Sequence, residues 1–189
     1  TGYYMAQLVK STFSDVCIAE NGLINALDYT SGRVFQYDQE GRLLTIFGGL
    51  GGQQGLFQMP IAVECLDDRI LVLDQSKQSL TVFRPTEYME LIHSAVGLYN
   101  EGNYQEAKQL WEQVLRHNQN FEFAYTGIGK ACYEQGNYQK AMAYFKLGND
   151  REEYSSAFRE YRAGIVRQFS IAIPILAVLS VPAIVLLRL

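Results

Sequence analysis

The stretch YNEGNYQEAKQLWEQVL, at residues 99–115, recurs 34 residues later as YEQGNYQKAMAYFKLGN, at residues 133–149. Each copy has a glycine near its start, followed by an alanine and then a large aromatic residue at helical spacing. A glycine permits a tight turn between two helices, an alanine permits their close approach, and the ring fills the space that remains. These structural positions are Gly102, Ala107, Trp111, Gly136, Ala141 and Phe145. The fixed period therefore predicts two stacked pairs of helices.

This pattern resembles the tetratricopeptide repeat (TPR), and the resemblance defines a region at residues 88–150. It implies a concave face, built from the first helix of each repeat, that holds a segment of a protein partner. The candidate partner-binding residues on that face are Tyr99, Tyr125, Lys130 and Tyr133. Because two repeats are fewer than a free-standing solenoid needs, the pair is interpreted more readily as a rigid connector than as an independent receptor.

A second, longer period lies upstream, where LINALDYTSGRVFQYD begins at Leu23 and RILVLDQSKQSLTVFR begins at Arg69. The apolar and alternating runs VCIA, LINALD, RVFQY, LLTIFG, IAVEC, RILVLD and LTVF predict short antiparallel strands. Asp28 and Asp74 end equivalent strands, where an aspartate can accept hydrogen bonds from the backbone of the following turn. This turn role is favoured over a catalytic or calcium-binding role, because the repeat explains both positions.

The same region resembles blades of an NHL-type β-propeller, with the glycine-rich segment GGLGGQQG at residues 48–55 between the two copies. Closure of a propeller takes roughly four to eight blades, and two are visible. The resemblance therefore implies that residues 1–87 form the C-terminal part of a propeller. A phosphate-binding role for the glycine-rich segment is not favoured, because it lacks the lysine and the following helix of such loops.

The C-terminal region differs in composition from the rest of the chain. Residues 151–168 predict an amphipathic capping and juxtamembrane helix that carries Arg159, Arg162 and Arg167. Residues 171–187, IAIPILAVLSVPAIVLL, carry no charge, so a transmembrane helix is predicted over residues 169–189. The predicted fold class is a multidomain α+β chain of NHL-like propeller blades, TPR helices and one transmembrane helix.

Composition argues against several classes of function. The net charge of −4, without clustered lysine and arginine, argues against a nucleic-acid partner. Cys17, Cys65 and Cys132 lack metal-ligand spacing, so neither a metal nor a cofactor is predicted. Three buried free thiols are the favoured interpretation, and a disulfide between the first two stays open for a protein outside the cytoplasm. His93 and His117 lie outside any catalytic motif, so no enzyme is predicted.

In chain order, the predicted regions resemble those of a group of bacterial membrane proteins in which this region precedes a Yip-type multi-span domain. The resemblance implies an accessory protein of carbohydrate ABC importers, with transporter subunits among its protein partners and the repeat region outside the cell. Basic residues before the predicted span favour the cytoplasmic side instead, so the topology stays open. The predicted function is a non-enzymatic, membrane-anchored binding or scaffolding protein. The alternative is an extracytoplasmic sensor whose propeller face binds a glycan or another small molecule.

Overall fold

The computed structural model describes the backbone of residues 11–186 and the side chains of residues 11–170. Contacts divide the chain into two compact units, Thr1–His93 and Ser94–Leu189. The strands are β1 (Phe13–Ile18), β2 (Ile24–Asp28), β3 (Arg33–Tyr37), β4 (Leu43–Gly48), β5 (Pro60–Leu66), β6 (Arg69–Asp74) and β7 (Ser79–Phe83). The helices are α1 (Glu87–Asn100), α2 (Tyr104–His117), α3 (Glu122–Glu134), α4 (Tyr138–Leu147) and α5 (Arg151–Leu186).

The first unit contains two antiparallel sheets, one of β1 to β4 and one of β5 to β7, each in chain order. Every strand overlaps one of the apolar or alternating runs in the sequence. Alternate side chains point to opposite faces of a strand, and one face of each sheet packs against the other sheet. The shared core consists of Cys17, Leu27, Val34, Phe57, Val63 and Val72.

A disulfide links the two sheets. It joins Cys17 on β1 to Cys65 on β5, whose Cα atoms are 5.8 Å apart. The favoured expectation of three free thiols is therefore wrong for this pair, because packing of β1 against β5 brings two distant cysteines together. Cys132, on α3, is free and buried.

The second unit stacks successive helices, with α2 against α3, α3 against α4 and α4 against α5. Residues at equivalent positions of the 34-residue period have equivalent environments. Gly102 and Gly136 have φ angles of 81° and 72°, in the left-handed region that favours glycine. The other four residues singled out by the period have fully buried side chains: Ala107, Trp111, Ala141 and Phe145.

The predicted propeller architecture is wrong. The described strands form two small antiparallel sheets that pack face to face, and they do not close into a ring. Closure needs roughly four to eight sheets arranged around an axis, so two packed sheets form a layered structure instead. The described part of the chain is instead an α+β structure with two small sheets and helices.

The predicted transmembrane helix, and with it the membrane localisation, is also wrong. Among the described residues, no helix is long and apolar enough to cross a membrane. The side chains of residues 171–189, on which most of that prediction rested, lie outside the described part of the chain.

Candidate functional site

The predicted partner-binding residues of the second unit contact other residues of the same unit. Tyr99 is buried, and its ring meets those of Tyr104 and Phe123 with centroid distances of 5.3 Å in each case. Tyr133 makes a similar edge contact with Tyr138, also at 5.3 Å. Tyr125 donates a hydrogen bond from its hydroxyl to the backbone oxygen of Gln119 at 2.9 Å. Their role in binding a partner stays a prediction.

Lys130 is held at the centre of the same region. Its Nζ lies 3.0 Å from Glu153 Oε1 and faces the rings of Tyr104 and Tyr133, at 5.8 and 5.4 Å from their centroids. Burial opposes the charge, but the hydrogen bond and negative charge of Glu153 outweigh it, so the pKa of Lys130 lies above its usual value. The ammonium group is therefore already neutralised by an acidic partner from α5.

The first unit has an exposed apolar face on the outside of the β1–β4 sheet, which we call the first outer face. Val16 on β1 pairs with Ala26, Ala26 pairs with Phe35, and Phe35 pairs with Ile46, so these four side chains share one face. Val16 and Ile46 are exposed, as is Ile18, whose side chain on the same face is 68% exposed. Large apolar groups therefore meet solvent on the side of this sheet that points away from the core.

The β5–β7 sheet has a corresponding second outer face. Leu73 pairs with Leu80, and Leu71 pairs with Val82, in a register that puts all four on one side. Leu73, Leu80 and Val82 are exposed, with Leu80 at 55%. Both sheets of the first unit thus bury one apolar face and expose the other.

A cavity of about 380 Å³ also lies within the first unit. Most of its surface is apolar, and polar side chains also contribute to its lining. The lining residues are Gln36, Thr45, Phe47, Asp68, Ile70, Phe83, Arg84, Pro85, Thr86, Tyr88, Met89 and His93. Cavities that bind small molecules have volumes of roughly 300 to 1,000 Å³ and this kind of mixed lining.

A chain of buried polar groups fixes His93 at this cavity. Gln36 donates through Nε2 to Asn25 Oδ1 at 2.9 Å, and Asn25 Nδ2 lies 3.4 Å from the sulfur of Cys65. Gln36 therefore presents its oxygen to His93 Nε2, which lies 2.7 Å away and must be the donor. Burial lowers the pKa of His93, so the ring is neutral near pH 7 and Nδ1 is its hydrogen-bond acceptor.

The sequence did not predict this series of hydrogen bonds or the cavity. In the sequence, His93 lies outside any catalytic motif, and Asn25 and Gln36 were not predicted as site residues. The usable signal was the position of Asn25 and Gln36 within strands: both stand at core-facing positions where an apolar residue is normal. A polar residue in such a position needs a buried hydrogen-bond partner.

Asp28 and Asp74 have the turn role that was expected of them. Asp28 Oδ1 accepts hydrogen bonds from the backbone nitrogens of Thr12 and Thr30 at 3.0 and 2.9 Å, and Ser31 donates to Oδ2 at 2.7 Å. Asp74 likewise accepts from three backbone nitrogens. The acceptor capacity of both carboxylates is used by loops that follow or precede their strands.

A scan of protein-family models and a search of curated proteins found no match to this chain. The assignments to NHL repeats, TPR repeats and accessory proteins of ABC transporters are therefore unsupported. The two outer faces and the cavity are the candidate binding sites of the first unit.

Proposed function

We propose that this chain is a non-enzymatic protein-binding module whose binding surfaces are the two outer faces of the first unit. The observation that carries the proposal is the exposure of large apolar side chains on both faces. Ile18 and Ile46 lie on the two edge strands of the first sheet, and Leu73 and Leu80 lie opposite each other on neighbouring strands of the second. Single exposed apolar side chains are ordinary on protein surfaces, whereas neighbouring groups of them mark interaction sites.

The free energy available from covering these faces supports the same function. Removal of apolar area from water contributes about 25 cal/mol per Å². On the second outer face, Leu73 lies opposite Leu80 and Leu71 lies opposite Val82, so a flat partner would cover all four together. A sheet face of this kind suits another protein surface, since a small ligand has no concave site there.

Photocrosslinking in the native host tests this proposal. A benzoylphenylalanine replaces Val82 or Ile46 in the full chain, and an exposed residue of α2, Gln109, serves as the control position. We expect discrete polypeptide adducts from both face positions and few from the control. The proposal fails if the face positions crosslink to protein no more than Gln109 does.

The cavity favours a second candidate function, which is the binding of a small, mainly apolar molecule that carries a hydroxyl group. The apolar lining suits an aromatic or aliphatic body better than a glycan, and neutral His93 can accept a hydrogen bond at Nδ1. The supporting observation is that Gln36 holds this ring in a single tautomer at the cavity wall.

Calorimetric titration with 4-ethylphenol and ethylbenzene tests this second function. We expect the phenol to bind roughly fivefold more tightly, since one hydrogen bond contributes about 1 kcal/mol. His93→Phe should abolish the difference, whereas His117→Phe, at an exposed position of α2, should leave it unchanged. Equal affinity for the two probes in the wild-type chain, or no binding of either, would exclude this function.

A further inference from the structure

We propose that copies of this chain stack head to tail, with the second outer face of one copy on the first outer face of the next, in the register of the internal contact between the sheets. The inference rests on the proposed protein-binding function and names a second copy as the partner. The basis is that the exposed face of each sheet is equivalent, residue by residue, to the buried face of the other sheet.

The two sheets share a strand arrangement that makes residue-by-residue comparison possible. Asp28 ends β2 and Asp74 ends β6, and both carboxylates are buried acceptors of backbone hydrogen bonds. With β2 and β6 aligned on these residues, Asn25 corresponds to Leu71. Because Cys17 pairs with Asn25 and Glu64 pairs with Leu71, Cys17 of the first sheet corresponds to Glu64 of the second.

This alignment relates the buried face of the first sheet to the exposed face of the second. Leu27 and Val34 lie in the core between the sheets. Their equivalents are Leu73 and Leu80, which belong to the second outer face and are exposed. The second outer face therefore has the apolar pattern of a face that packs on a following sheet.

In the same way, the buried face of the second sheet is equivalent to the exposed face of the first. Val63 and Val72 of the second sheet lie in the core and pack on the first sheet. Their equivalents are Val16 and Ala26, which belong to the first outer face. The first outer face thus has the pattern of a face that packs on a preceding sheet, and a second copy supplies that sheet.

Most substitutions between equivalent positions make the stacked contact more apolar than the internal one, and the exception is Glu64, which stands at the position of Cys17. The polar Asn25 and Gln36 of the internal contact correspond to Leu71 and Val82. Asp15, which accepts a hydrogen bond from the backbone of Val63, corresponds to Ala62. At these three positions the contact between copies therefore needs no buried polar pair.

The native disulfide identifies which residues of two copies would face each other in the predicted register. Cys17 and Cys65 face each other across the internal contact, with Cα atoms 5.8 Å apart. Cys65 pairs with Ile70, the equivalent of Ile24, so Cys65 corresponds to Ile18. Stacking in the same register brings Glu64 of one copy opposite Ile18 of the next, at a separation that a disulfide can span.

Disulfide trapping tests the stacking. One full-length chain carries Ile18→Cys, another carries Glu64→Cys, and the two are mixed and oxidised mildly with the native Cys17–Cys65 bond intact. We expect heterodimers in at least roughly tenfold excess over either homodimer, because only in the mixed pair do the two new cysteines face each other.

Leu80→Asp in the Glu64→Cys chain should reduce trapping by a similar factor, since it buries an unpaired charge. A chain with both cysteines should give a ladder of longer products, as expected for a contact that does not close.

The control is Gln39→Cys, at an exposed position of a turn, mixed with Glu64→Cys. Heterodimers of Ile18→Cys and Glu64→Cys that do not exceed this control would overturn the stacking. If Val82 and Ile46 crosslink to a different polypeptide while trapping fails, only the choice of a second copy is wrong. If neither experiment gives a protein adduct, the protein-binding function fails as well.

Discussion

Asp74 shows how a single buried carboxylate holds a loop against a strand. Its oxygens accept backbone hydrogen bonds from Gln58 at 2.6 Å, Met59 at 3.2 Å and Lys77 at 3.0 Å. Burial disfavours the charged form, but these hydrogen bonds outweigh it, so the pKa of Asp74 lies below its usual value of 3.8. The folded state therefore depends on the ionised form of this side chain.

Replacement of Asp74 by Asn should lower the free energy of unfolding by about 2 kcal/mol at pH 7, because the amide has one acceptor and an opposing NH₂ group. A folded pKa below the unfolded value stabilises the protein above the unfolded pKa, and this contribution is lost as pH falls through the folded pKa. Urea unfolding at pH 7 and at pH 3 should show the difference between wild type and Asp74→Asn shrinking in acid.

The exposed Asp68→Asn serves as the control for Asp74→Asn, since Asp68 only approaches Arg69 at 3.9 Å. It should change stability by less than about 0.5 kcal/mol. A cost for Asp74→Asn that equals that of the control, or that does not diminish in acid, would contradict the structural role.

At the scale of elements, α3 packs tightly against both neighbouring helices because two of its residues have no side chain. The ring of Trp111 on α2 covers Gly127, and the ring of Phe145 on α4 covers Gly129. A Cβ on Gly129 would lie 2.7 Å from the Phe145 ring, closer than real contacts allow. Both rings are fully buried, so neither can move into solvent without exposing its area.

Gly127→Ala should therefore destabilise the chain by about 1 to 3 kcal/mol, the usual cost of overpacking, despite the better helix propensity of alanine. The matched control is Gly97→Ala on α1, where an added Cβ meets nothing within 4 Å. That substitution should be neutral or stabilising by up to about 1 kcal/mol.

Thermal unfolding followed by circular dichroism measures both glycine variants. Combining Gly127→Ala with Trp111→Phe should cost less than the two single changes added together, because the smaller ring leaves room for the methyl group. Strict additivity, or equal stability of the two glycine variants, would show that the contact between α2 and α3 does not limit packing.

At the scale of the whole molecule, the Cys17–Cys65 bond closes a loop of 48 residues that includes most of the first sheet. In the chain-entropy account, such closure restricts the unfolded state by an amount equivalent to about 4 kcal/mol. The first unit has a small core and two uncovered sheet faces, so this restriction is a substantial part of its stability.

Much of the local structure was predictable from the amino-acid order. The 34-residue spacing located Gly102 and Gly136 at turns and Trp111 and Phe145 in the interior, because helix periodicity is a short-range property. Alternating runs located the strands for the same reason. The larger architecture was predicted wrongly, since a strand pattern typical of propeller blades does not state how many sheets pack together or whether they close.

The sequence by itself thus determined the positions of strands, helices and turns, together with the aspartates that hold the strand ends. Only the tertiary structure decided that Cys17 meets Cys65, that Gln36 orients His93 at a cavity, and that each sheet leaves one apolar face uncovered. The physical reason is the distance along the chain over which each kind of interaction acts. Hydrophobic periodicity and turn chemistry act over a few residues, whereas these contacts join residues about fifty positions apart, and only the packing of one sheet on another brings them together.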